Sequence, residues 1–111
     1  PTRTIAALSS FKEKVVVILG GYDKNIPYEP LVPHLFEHAH TAVLTGATSE
    51  KIYSAITQNE NFEASKLKIF KEPDFKSAVY RAKAAANSGD NVILSPAAAS
   101  FDAFETYTAP P

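Results

Sequence analysis

The 111-residue sequence contains no cysteine. Disulfides, thiolate chemistry and cysteine-based metal sites are therefore excluded, and the expected setting is a reducing cytoplasm. Methionine is absent as well, position 1 included, so the chain is expected to be a piece of a longer protein. No apolar run approaches the roughly 20 residues of a spanning helix. The N-terminal PTRTIAALSSFKEK has no apolar core ahead of a cleavage site, so no secretory signal is expected. An excess of one charge is also lacking: 11 Lys and Arg against 12 Asp and Glu give a net charge of −1. That balance offers no electrostatic case for nucleic acid or an anionic membrane. Neither nucleotide fingerprint, GxxxxGK or GxGxxG, occurs. There is no Ser–His–Asp set with supporting context, and no carboxylate pair is placed for acid–base work.

What is present alternates between strand and helix. The length suits one domain with a single core. Thr2 to Phe11 has Ile5, Ala6, Leu8 and Phe11 as a short helical face. Lys14 to Leu19 is a β-branched run closed by Gly20-Gly21, as expected of a central parallel strand buried on both faces. Glu29 to Ala39 carries Leu31, Val32, Leu35, Phe36 and Ala39 at helical spacing, with Pro30 tolerated in the first turn. Residues 41–45 form a second strand, and 48–57 a helix with Ile52, Tyr53 and Ile56 inward. Residues 67–70 form a third strand. The longest helix, 74–87, turns Phe75, Ala78, Val79, Ala82 and Ala85 or Ala86 inward and stops at Ser88-Gly89-Asp90. Residues 91–94 make a fourth strand, followed by a loop and a short helix through Tyr107. Residues 108–111 read as a disordered tail behind a domain spanning 1–107. This alternation predicts an α/β fold with a mainly parallel sheet and right-handed crossovers.

In such sheets ligands lie beyond the carboxyl ends of the strands, where strand order reverses. With the order 3-2-1-4, the reversal falls between strands 1 and 4. The stretches leaving those strands, residues 20–25 and 95–101, are also the chemically unusual ones. The first, Leu19-Gly20-Gly21-Tyr22-Asp23-Lys24-Asn25, offers Lys24 as a charged donor and Asp23 as its possible partner, behind two loop-shaping glycines, Gly20 and Gly21. The second offers Ser95 and Ser100 hydroxyls, with Ser100 opening a helix whose free N–H groups favour an anion. A lysine facing a helix N-terminus can receive a carboxylate or a phosphate, each charge-assisted bond contributing about 1.5–3 kcal/mol. An ordinary strand-to-helix turn with a solvated lysine fits the spacing too, and Ser100 can serve as a helix cap alone. His34 and His38 share a helix face near His40, but no carboxylate completes a metal motif, so they read as half-exposed histidines at a helix end. Asp74, Lys76, Arg81 and Lys83 read as a solvated helix face.

Three stretches carry a resemblance: VVVILGGYDKN, FKSAVYRAKAAANSGDNVILSP and, above all, LSPAAASFDAF. They resemble the C-terminal domain of the Mur ligases, closest to the D-glutamate-adding type, in order from about residue 2 to residue 107. The resemblance implies a Rossmann-like three-layer domain that brings the incoming amino acid to an ATP-dependent ligase of peptidoglycan synthesis. In such a ligase the carboxylate of UDP-N-acetylmuramoyl-L-alanine is activated as an acyl phosphate, which the amine of D-glutamate attacks. By motif alignment it implies that Lys24 binds a D-glutamate carboxylate, that Ser100 and the Phe101 backbone bind the amino acid, and that Tyr107 stands near the same substrate. ATP and Mg2+ are implied for the full-length parent, with neither bound by this domain alone, which is expected to be inactive by itself. The family's Asp-Ser-Lys-Ala-Thr-Asn segment would lie just before Pro1. Ala98 replaces the usual cysteine of the serine motif, and Thr-Ala-Pro-Pro replaces the Arg-Gly that follows the last aromatic. The alternative to a ligase domain is a stand-alone module binding a small carboxylate or nucleotide.

Overall fold

The β-branched run after Lys14 forms strand β1 (Val15–Gly21). In the computed structural model, which describes residues 2–21, 25–97 and 105–111, this strand is the middle of a five-stranded sheet. Strands β2 (Ala39–Thr45) and β4 (Asn91–Ala97) flank it, β3 (Lys68–Lys71) lies outside β2, and β5 (Glu105–Thr108) lies outside β4. The order β3-β2-β1-β4-β5 places the reversal between β1 and β4, as expected from the sequence. The first four strands are parallel, and β5 runs antiparallel to β4. Val15 to Leu19 are all buried, as a strand covered on both faces requires.

Alternate residues of β1 feed two different cores. Val15, Val17 and Leu19 pack with Ala42, Leu44 and Ile93 under helices α1 (Thr2–Ser9), α2 (Val32–His38) and α3 (Ser49–Thr57). Val16 and Ile18 pack with Val43 and Val92 under helix α4 (Phe75–Ala85). The result is a three-layer α/β fold. Alanines at 78 and 82, both fully buried, form the stripe by which α4 lies on the sheet. Asp74, exposed as the sequence suggested, also caps this helix by accepting the Ser77 N–H at 2.7 Å.

Several expectations need correction. The inward face of α1 is Thr4, Ala7 and Leu8, with Ala6 exposed; steps of three and four from Thr4 reach Ala7, Leu8 and the half-buried Phe11. Tyr53 faces outward and carries the Lys71 ammonium 3.9 Å above its ring. Phe75, in the first turn of α4, is 49% exposed, because alanines suffice for the contact with the sheet. β1 continues through Gly20 and Gly21, and β4 through Ser95, Pro96 and Ala97, so the loops begin later than the composition suggested.

The largest change is at the C-terminus. Residues 105–108, expected at the end of a short helix, form β5, where Thr-Tyr-Thr suits an edge strand beside the otherwise open side of β4. The chain beyond 107 is likewise held: the Ala109 N–H donates to the Asp90 carbonyl at 2.8 Å, and Gly89 N–H donates to the Ala109 carbonyl at 3.0 Å.

Candidate functional site

The carboxyl ends of β1 and β4 lie side by side. Gly20 is in register with Pro96, and Gly21 with Ala97. Residues 22–24 leave the first strand and residues 98–104 the second, so both unusual stretches start from adjacent points at one edge of the sheet. Asp23, Lys24, Ser100 and Phe101 themselves lie outside the described residues. What the fold supplies is the pair of anchoring points on which the four depend.

Gly20 is a strand residue with a packing reason to be glycine. It pairs with Thr45 of β2 on its other side. A Cβ added there would stand 3.0 Å from Thr45 Cγ2 and 3.2 Å from the Thr45 carbonyl oxygen. A side chain at position 20 would therefore require Thr45 to give way by a few tenths of an ångström. A bare glycine in the sequence reads equally well as a turn residue, so the spacing could not reveal this contact.

Tyr107 lies elsewhere. It pairs with Val92, near the amino end of β4, and its half-exposed ring carries the Lys83 ammonium at 4.9 Å. Five residues separate Val92 from Ala97, roughly 16 Å along a strand. Tyr107 is therefore not brought together with the strand ends at Gly21 and Ala97. Tyr28, which follows the first loop, is 5% exposed, and among the described residues its hydroxyl meets no hydrogen-bond partner. Its ring lies 5.7 Å beneath the Lys51 ammonium at the start of α3.

The opposite, amino edge of the sheet holds a polar network that sequence reading missed. His40 Nε2 lies 2.8 Å from Asp90 Oδ2, and its Nδ1 lies 2.8 Å from the Thr41 hydroxyl. The same Asp90 oxygen accepts the Asn87 N–H at 2.8 Å. The pair joins the start of β2 to the start of β4 across fifty residues, which no local pattern announces. His34 and His38 stack on each other with ring centroids 6.4 Å apart. Among the described residues no group of three or more His, Cys, Asp or Glu is placed to hold a metal. A hollow of about 490 Å³ beside His40 is lined by Lys66, Lys68, Phe70 and Arg81. Its cations are largely matched: Lys66 pairs with Glu63 at 2.9 Å and Arg81 with Glu72 at 3.0 Å. The last turn of α4 also turns its carbonyls toward this end, which opposes an anion.

The sequence matches the family model described as "Mur ligase, glutamate ligase domain" over residues 1–98. It is 46% identical over 107 residues to the UDP-N-acetylmuramoylalanine--D-glutamate ligase of Clostridium novyi, covering 96% of this chain and 23% of that protein. The ligase of the same name from Acetivibrio thermocellus is 46% identical over 109 residues, with the same coverage. That from Clostridium perfringens is 40% identical over 107 residues, again covering 96% of this chain and 23% of the relative. The chain thus spans about a quarter of the length of the curated relatives it matches.

Proposed function

Because the chain belongs to the Mur ligase family, as its glutamate ligase domain, we propose that it binds D-glutamate for an ATP-dependent ligase that joins it to UDP-N-acetylmuramoyl-L-alanine. The observation that supports this reading most is the adjacency of the ends of β1 and β4 at the reversal of strand order. Lys24 follows Gly21 by three residues, and Ser100 follows Ala97 by three. Three residues reach at most about 10 Å, and paired strands lie about 4.8 Å apart. One amino-acid ligand can therefore meet both side chains.

In this reading the Lys24 ammonium donates to a carboxylate of D-glutamate. The Ser100 hydroxyl and the Phe101 backbone hold the rest of the amino acid, so that its amine faces the activated carboxyl group. Binding here orients the nucleophile, and orientation is the domain's contribution to rate. Tyr107, aligned by motif with the same substrate, is assigned no contact, given its pairing near the amino end of β4. Neither nucleotide fingerprint, GxxxxGK or GxGxxG, occurs in the sequence. ATP and Mg2+ are assigned to parts of the ligase outside this chain, and no step is routed through them here. No helix among the described residues is long and apolar enough to cross a membrane. A cytoplasmic ligase also accords with the lack of cysteine.

The test is a chimera in which this chain replaces the matching segment of the Clostridium novyi ligase. We expect ATP cleavage that depends on D-glutamate and on the UDP substrate, with L-glutamate inactive. A chimera that folds but responds equally to the two enantiomers contradicts the reading.

A further inference from the structure

The two faces of the sheet are covered unequally. Helices α1, α2 and α3 lie on one face, while α4 is the one described helix on the other. It sits over β2 and β1, so among the described residues no helix covers β4 and β5 on that side. Two side chains of β4 face this half: Val92, buried at its inner edge, and Leu94, half-buried. Tyr107 of β5 stands opposite Val92 and shares its face. A sheet face that carries apolar side chains is stable when another element buries it. The half beside α4 is two strands wide, about 10 Å, which is the width of one helix.

The exposed aromatic side chains gather beside this half-face. Of the four large apolar side chains exposed among the described residues, Phe75, Tyr80 and Tyr107 belong to α4 and β5. The fourth, Tyr53, lies on α3 under the Lys71 ammonium. Lys76, Tyr80 and Lys83 follow one another at steps of four and three and form one row of α4. Phe75 and Val79 form the neighbouring row, nearer the sheet, where Val79 packs against the core. The Lys83 ammonium over the Tyr107 ring turns these rows toward β5. Helix α4 contains three cations and no carboxylate. Arg81 pairs with Glu72 on the β3 side, and Lys76 and Lys83 stand on the side of β5. This chain spans 23% of the Clostridium novyi ligase, so about three quarters of that protein lies outside the match. We propose that the α4–β5 side is a docking surface for an amphipathic helix from the part of the ligase outside this chain. The apolar face of that helix covers Phe75, Leu94 and Tyr107, and its carboxylates meet Lys76 and Lys83. The proposal goes beyond the D-glutamate reading and uses family membership alone, not the assignment of Lys24 or Ser100.

The experiment is hydroxyl-radical footprinting of the same chimera, read by mass spectrometry, with each aromatic side chain referred to its labelling in urea. Tyr80 is 66% and Phe75 49% exposed in the chain itself, so left bare they are protected only about twofold. Docking should protect both by about tenfold. Tyr28, at 5% exposure, stays protected throughout and reports that the chain is folded. Lys76→Glu with Lys83→Glu sets like charges against the incoming carboxylates and should return Tyr80 to about twofold protection. If that pair unfolds the chain, Lys76→Gln with Lys83→Gln takes its place and should bring Tyr80 to about fourfold. Protection of Tyr80 no greater than about twofold in the unmutated chimera overturns the proposal. So does protection that the lysine variants leave untouched. Protection that fades on about hundredfold dilution overturns it too, because a second copy is then the occupant. ATP cleavage with D- and L-glutamate is measured alongside. A chimera that discriminates the enantiomers with Tyr80 bare keeps the ligand reading and loses the docking surface. One with Tyr80 covered and no discrimination does the reverse.

Discussion

At the scale of single residues, the chain pays for a few unusual choices. The Tyr28 hydroxyl is buried with no partner among the described residues, and burying such a group unpaired costs roughly 1–3 kcal/mol. Tyr28→Phe should therefore stabilise the chain, by up to about 1 kcal/mol in urea denaturation; a clear loss of stability would mean that the hydroxyl is satisfied. Asp74 is the reverse case. The Ser77 N–H, then the Ser77 hydroxyl and Lys76, hold its carboxyl below the ordinary value of 3.8. A folded-state value below the unfolded one stabilises above the unfolded value, and the benefit is lost as pH falls through the lowered folded value. Thermal midpoints measured from pH 6 down to pH 2 should show that loss below about pH 4. Asp74→Asn retains a cap and should flatten this part of the profile. Gly89, at φ +83° with open space around it, is glycine for backbone reasons alone. Gly89→Ala should cost about 1 kcal/mol, and Gly89→Asn less, because asparagine tolerates the left-handed region.

At the scale of elements, the sheet is tied at its two edges by different means. At the amino edge Asp90 accepts from both His40 and the Asn87 N–H. Asp90→Ala orphans both donors, His40→Ala only removes one partner, so the first should destabilise more, by about 1–3 kcal/mol; equal effects would deny Asp90 its double role. The buried seam between α4 and the sheet depends on close contact through Ala78 and Ala82. Element order, the buried β1 and the strand-order reversal were legible because β-branched runs, glycine stops and helical spacing are local signals. Tyr53 and Phe75 were misread because periodicity ranks a residue by its own hydrophobicity, and not by whether the sheet lies beneath it. β5 was missed because a four-residue edge strand depends on an open neighbour, here β4, that only the assembled sheet reveals. The pairing of Gly20 with Thr45 was missed for the same reason: the two are 25 residues apart in sequence and adjacent only across paired strands.

At the scale of the whole molecule, two edges of one sheet have separate roles. The amino edge is closed by the hydrogen bond between His40 and Asp90 and by the return of Ala109 to Asp90. The carboxyl edge releases two chemically distinctive segments from adjacent strands. In the proposed reading this carboxyl edge orients the amino acid, and the chain spans about a quarter of the length of its relatives. The central claim is that Lys24 receives a carboxylate of D-glutamate. It is tested most directly by the KM for D-glutamate in the chimera with and without Lys24→Ala. Loss of a charge-assisted bond predicts a rise of about ten- to a hundredfold with KM for ATP unchanged; an unchanged KM for D-glutamate would contradict the account.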